Sequence, residues 1–243
     1  MSTDPTGILF YGDPHGVWTP LIEAVRDYRP LAVVILGDCE LAQPLPTELA
    51  AVWDMVPCWK WIIGNHDVQT VAEYEFLVDG HPDGDLGSKI VMLGDLRVAG
   101  LGGVYRSQVW YPKSGCDLEP APAFRRREDM VRQTARADRF RGGVPRSSRA
   151  TIFPEDHETL RSSQADILVC HEAPSSDPHG FRAIDELGRD MEVRLVVHGH
   201  HHRSYWGHTA YGIPVRGLGL AEPWFFSGIR ALNGQQTAAE LDP

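Results

Sequence analysis

Three times within the first sixty-seven residues an apolar run stops at a glycine, and the next residue carries a carboxylate or an amide. The runs at residues 7–11, 31–36 and 59–63 lead into Gly12-Asp13-Pro14-His15-Gly16, Gly37-Asp38-Cys39-Glu40 and Gly64-Asn65-His66-Asp67. Residues 31–36 are apolar on both faces, the pattern of a parallel strand covered on both sides. Between the first two runs, Leu21, Ile22, Ala24 and Val25 fall on one side of a helix stopped by Pro30, and a second helix is expected at 46–55. Strand, polar loop and helix in alternation constrain the chain to an α/β sandwich with functional groups at the carboxyl ends of its strands.

The pattern returns later in the chain. A hairpin is expected at 91–102. A helix at 154–163 precedes a strand at 166–170 that ends at His171, and a helix at 184–191 precedes a strand at 193–197 that ends at His198-Gly199-His200-His201-His202. Two or three closing strands are expected at 204–226, where Trp224-Phe225-Phe226 reads as an interface or a cap on the core, and residues 228–243 read as a polar tail. With 243 residues the chain suits a single domain, 1–243, in which the irregular stretch 104–150 is a basic insertion or lid with a helix at 124–140.

Charge is unevenly spread. The chain is −10 overall, yet residues 125–149 hold nine arginines against Glu128, Asp129 and Asp138, leaving −16 for the rest. Such a balance argues against a general nucleic-acid binder, so a nucleic-acid partner is not favoured. The longest clean apolar run has six residues, far short of the ~20 of a membrane helix, so no membrane partner is expected. The first residues show no export signal. Cys39, Cys58, Cys116 and Cys170 form no C-x-x-C pair and read as free thiols in a reducing compartment, which makes the cytoplasm the expected location.

The five polar loops hold nearly all the chemistry: Asp13 and His15, Asp38, Asn65 and His66, His171, and His200 to His202. Adjacent strands lie about 4.8 Å apart, so loops at one end of a sheet can bring their tips together. Mixed oxygen and imidazole donors suit manganese, iron, zinc or nickel rather than calcium. The glycines before Asp13, Asp38, Asn65 and His200 are expected to provide the sharp exits that aim those side chains.

As a set, D-x-H at Asp13 and His15, G-D at Asp38, G-N-H-D at Asn65 to Asp67, the lone His171 and G-H-x-H at His200 and His202 resemble the five signatures of the calcineurin-like metallophosphoesterase superfamily. The resemblance runs from residue 7 to 202. It implies a four-layer α/β/β/α sandwich around a centre of two divalent metal ions. One ion would be held by Asp13, His15 and His202, the second by Asn65, His171 and His200, with Asp38 bridging both. It further implies a bridging hydroxide as nucleophile and His66 as the acid that protonates the leaving oxygen. In an extended segment His201 would point away from its neighbours and so lies outside the ligand set. His198 reads as structural, and Asp67 as either an orienting or a solvated acid.

The second signature departs from that of the phosphoprotein phosphatases, G-D-x-x-D-R-G. Leu41 replaces the acid that would partner the catalytic histidine, Ala42 replaces the phosphate-gripping arginine, and Glu40 offers a carboxylate one residue out of register. A protein serine/threonine phosphatase is therefore not expected. Arg106, or an arginine of the basic stretch, would have to supply the phosphate contact. The expected function is hydrolysis of a phosphate mono- or diester, with a phosphorylated small molecule or nucleotide as substrate. The alternatives are a nucleotide-specific phosphodiesterase whose basic stretch grips base or phosphate, and a non-catalytic metal-binding scaffold.

Overall fold

The computed structural model describes residues 7–112 and 121–227. The elements run β1 (Ile8–Gly12), α1 (Thr19–Tyr28), β2 (Ala32–Ile35), α2 (Leu45–Glu48), β3 (Cys58–Trp61), α3 (Val71–Val78), β4 (Lys89–Leu93), β5 (Leu96–Leu101), α4 (Arg127–Gln133), α5 (Pro154–Arg161), β6 (Ile167–Cys170), α6 (Arg182–Asp190), β7 (Leu195–His198), β8 (Tyr205–His208), β9 (Pro214–Gly217) and β10 (Glu222–Phe226). They build two sheets, ordered β10-β1-β2-β3 and β4-β5-β6-β7-β9-β8. Strands β1, β2 and β3 are parallel, as are β5, β6, β7 and β9. The antiparallel members β10, β4 and β8 lie at sheet margins.

Side-chain alternation assigns each strand residue to a layer. Ile8, Phe10, Ala32 and Val34 of the first sheet meet Val98, Ile167, Val169, Leu195 and Val197 of the second in a core between the sheets. Their neighbours Leu9, Tyr11, Val33 and Ile35 face outward onto Leu21, Ala24 and Val25 of α1. On the other side Ala99, Leu101, Leu168 and Val196 pack on Leu160 of α5 and on Ile184 and Leu187 of α6. The result is the expected α/β/β/α stack, with the central strands of both sheets covered on both faces. Helix α1 is entered through a proline in its first turn and left through Arg29 at φ 50°, ahead of Pro30.

Several expectations change in detail. The helix at 46–55 is a single turn, α2, followed by a 3-10 turn at Trp53–Met55. The helix at 124–140 shrinks to α4, with a 3-10 turn at Arg136–Asp138, because no side chain of α4 is fully buried to stabilise more turns. Trp224 and Phe226 are core residues, Trp224 stacking on Phe10 at 5.5 Å, and Phe225 stacks on Tyr28 at 4.5 Å. The hairpin expected at 91–102 is β4 and β5. Helix α3 went unread in the sequence. The polar tail and Cys116 lie outside the described residues, and Cys39, Cys58 and Cys170 are free thiols. Among the described residues no helix is long and apolar enough to cross a membrane.

The arginine-rich stretch is tied to the body by specific pairs. Arg127 forks onto Asp156 at 2.7 and 2.9 Å and reaches Glu155 at 3.0 Å. Arg125 pairs with Glu158, and Arg141 with both Glu75 and Asp79. Arg146 donates to the carbonyl of Val68, while Arg149 donates within the stretch, to that of Phe140.

Candidate metal centre

The loops after β1, β2, β3, β6 and β7 converge, and the convergence depends on unusual backbone. Asp13, His15, Asp38, Glu40, His200 and His202 all take left-handed conformations, with φ between 40° and 70°. Such conformations cost on the order of 1 kcal/mol or more each and persist where surrounding structure imposes them. The turns are thus made mainly by the chemistry-bearing residues themselves rather than by the glycines before them, Gly37 at φ 94° excepted. Gly64 and Gly199 serve by lacking a side chain. A Cβ at Gly64 would stand 2.2 Å from Asp38 Oδ1, and one at Gly199 2.6 Å from Asp13 Oδ2.

Two groups of donors result, with Asp38 between them. In the first, Asp13, His15 and His202 bring one donor atom each within 4.8 Å of one another, and the Nε2 atoms of His15 and His202 are 3.0 Å apart. In the second, Asp38, His171 and His200 do the same. Asn65 Oδ1 lies 3.2 Å from His171 Nε2. Asp38 Oδ2 lies 3.3 Å from His171 Nε2 and 3.8 Å from His15 Nε2, so one carboxylate oxygen faces both groups. Every ligand position read from the sequence is therefore in the cluster.

The environment is built to receive positive charge. Asp13, Asp38 and His171 are at most 1% exposed. His171 donates Nδ1–H to the Leu36 carbonyl at 2.7 Å, which aims Nε2 at the oxygens of Asn65 and Asp38. Burial alone would lower the His171 pKa, but Asp38 and Asp13 hold it up at about 10, so the oxygens around Nε2 favour a positive charge there, a proton or a metal cation. Burial lifts Asp13 to about 6 despite the two bonds that His200 N–H gives its carboxylate. Burial also acts to raise Asp38, yet the adjoining His171 and the His66 backbone N–H outweigh it and hold this carboxyl below the ordinary range. Carboxylates, imidazoles and an amide oxygen around a charge-demanding centre fit divalent cations.

Around this core the structure gives places to residues the sequence left open. Glu40 Oε1 sits 2.8 Å from His15 Nδ1 and 2.9 Å from His66 Nδ1. The left-handed turn at Glu40 recovers the missing register, while Leu41 is buried under the first sheet. Gln69 Nε2 also lies 2.7 Å from His66 Nδ1, and with Nδ1–H given to the carboxylate the Gln69 amide turns its oxygen to this position. Asp67 is not solvated. It accepts the backbone N–H groups of Asp38, Cys39 and Gly64 at 2.7–3.0 Å and so staples the second loop to the third. His198 is buried and fully engaged, donating to the Gly199 carbonyl and accepting from Tyr205 at 2.8 Å each. His201 does not follow strand alternation, because its flanking residues are left-handed, and its Nε2 lies 3.5 Å from Glu172 Oε1.

Glu172, the buried neighbour of His171, was missed by sequence reasoning; its only signal was adjacency to a site histidine. Arg106 stands beside the cluster, in an open cleft of about 310 Å³ shared with Asn65 and His200. Its Nε is buried with no hydrogen-bond partner among the described residues.

Comparison with known proteins shows the family and the fold. A protein of Haemophilus influenzae is 36% identical over 214 residues, covering 88% of this chain and 91% of its own length. The structure of the Thermus thermophilus protein TT1561 shares the fold with a TM-score of 0.53 at 14% identity, covering 90% of this chain and 91% of that one. A dimetal phosphatase from Danio rerio does so with a TM-score of 0.52 at 14% identity, covering 90% and 89%. Residues 6–204 match the family described as calcineurin-like phosphoesterase, and they span every loop of the cluster: the chain belongs to that family.

Proposed function

We propose that the chain hydrolyses phosphate esters at a centre of two divalent cations, one held by Asp13, His15 and His202, the other by Asn65, His171 and His200, with Asp38 shared. The observation that carries this reading is the placement of Asp38 Oδ2 between His171 Nε2 and His15 Nε2, at 3.3 and 3.8 Å. Two such cations supply an activated water and neutralise charge on the phosphoryl oxygens. The protein's own part is positioning. His171 is fixed in one tautomer by Leu36, His15 is oriented by Glu40, and the loop bearing Asp38 is fixed by Asp67.

His66 is suited to give its Nε2 proton to the leaving oxygen. It is about one-third exposed, its ring lies edge-on to His15 at 4.9 Å, and Glu40 stands at Nδ1 to stabilise the imidazolium form. Manganese, iron, zinc or nickel all suit this donor set. Mono- and diesters of phosphorylated small molecules are the substrates such a site serves, and the absence of the motif arginine at Ala42 directs attention to Arg106.

The test is turnover of p-nitrophenyl phosphate and bis-(p-nitrophenyl) phosphate by protein stripped of metal and reloaded with manganese. Metal-dependent turnover is expected. His66→Ala should slow esters of poorly acidic alcohols about 10²–10⁴-fold while sparing p-nitrophenyl esters, whose leaving group needs no proton. Glu40→Gln should show the same dependence to a smaller degree. Loss of equal size on both kinds of ester would remove His66 from the acid role, and no turnover with any metal would sink the reading.

A further inference from the structure

The cleft beside the centre has its own composition. The Asn65 and His200 side chains form the wall it shares with the cluster, so an ester whose phosphorus sits at the centre projects its alcohol into this space. Arg106, Tyr111, Phe181 and Glu172 also line it. Tyr111 is 40% exposed, and its ring meets Phe181 edge-on at 5.1 Å, while Phe181 packs on Tyr105 at 4.5 Å. An exposed aromatic ring braced from behind is a stacking platform rather than core. Arg106 is half-buried beside a site read as binding anions, and its Nε is buried and unpartnered among the described residues. A buried donor left unmade costs about 1–3 kcal/mol, which a phosphate oxygen would recover.

We propose that this cleft takes the nucleoside part of a nucleoside phosphate, with the base stacked on Tyr111 and Arg106 on the phosphate; this rests on the phosphoesterase reading above. A volume near 310 Å³ lies at the lower end of the range for small-molecule sites, enough for one nucleoside and too small for a folded protein segment. Glu172 and His201 offer hydrogen-bonding groups at the cleft wall for a base edge. No arginine of the arginine-rich stretch lines the cleft, and Arg125, Arg127 and Arg141 are engaged with carboxylates elsewhere.

The experiment uses the full chain loaded with manganese and compares the four common nucleoside 5′-monophosphates with ribose 5-phosphate, with p-nitrophenyl phosphate as the control for phosphoesterase activity. Stacking predicts kcat/KM for the best nucleotide about 5–150-fold above that for ribose 5-phosphate, the equivalent of 1–3 kcal/mol. Tyr111→Ala should abolish that ratio through KM, and Tyr111→Phe should restore it. Arg106→Ala should lower kcat/KM for nucleotide and sugar phosphate alike. Equal kcat/KM for all five, or no turnover of any of them while p-nitrophenyl phosphate is hydrolysed, overturns the cleft assignment and leaves the phosphoesterase reading standing. If p-nitrophenyl phosphate is also inert, calorimetric titration of the same nucleotides into the protein decides the matter separately. Binding weakened by Tyr111→Ala supports the cleft, and binding that is absent or indifferent to that change refutes it.

Discussion

In the stretch from 121 to 150 the guanidinium of Arg127 lies in a two-point fork on Asp156, whereas at the strand ends His171 turns one ring nitrogen toward the oxygens of both Asn65 and Asp38, at 3.2 and 3.3 Å. Both regions are dense in charge. In the first, Arg125, Arg127, Arg141 and Arg146 are matched to acids or carbonyls of the body, so the charge serves to fasten the chain. In the second, buried carboxylates and imidazoles converge from five loops on one point, on a backbone forced into left-handed turns. Charge density alone does not mark function. Charge that is buried and gathered on a strained backbone does.

The comparison can be broken at either end. The largest expected effect is at the shared carboxylate: Asp38→Asn should lower manganese-dependent kcat by about 10³-fold or more, roughly 4 kcal/mol of barrier, with little loss of thermal stability. Enzyme assay and calorimetry on the same preparation would read both. The converse comes next. Asp156→Ala leaves Arg127 without its fork and should cost about 3–4 kcal/mol in urea unfolding, while bound metal per chain stays unchanged.

A pH effect sharpens the same side. His157 is buried against Tyr105, and burial lowers its pKa to about 4. With an ordinary value near 6.5 in the unfolded chain, the unfolded state binds the proton first as pH falls, so stability drops between pH 6.5 and 4. Wild type should lose about 2 kcal/mol between pH 7 and pH 5 relative to His157→Gln, measured by urea unfolding at each pH. The smallest effect is expected at Arg141, whose pairs with Glu75 and Asp79 are exposed. Arg141→Ala should change stability by less than about 1 kcal/mol, and less still in high salt.

The fold and the residues gathered at the candidate site were legible because each strand is a compact apolar word followed by its polar ending. Residues 31–36 need no context to read as a buried strand, and Asp38 follows at once. Local register was harder. Glu40 looked misplaced because spacing counts residues along the chain and cannot see a left-handed turn that swings the side chain back. Helix α3 was missed although Thr70 and Glu73 form a capping box in the sequence itself, with the two reciprocal bonds at 2.7 and 3.1 Å. Trp224 looked exposed because β10, a margin strand bearing Glu222 and Pro223, carries weak apolar alternation, while its partner Phe10 lies more than two hundred residues away. Such pairings come from topology, which local pattern does not encode.

The most direct measurement is the metal content of the chain, counted by native mass spectrometry after reloading, for wild type and Asp38→Asn side by side. Two ions per chain in the wild type and at most one in the variant is the expected result. One ion or none in the wild type, or two retained without Asp38, would contradict a centre built around a shared carboxylate.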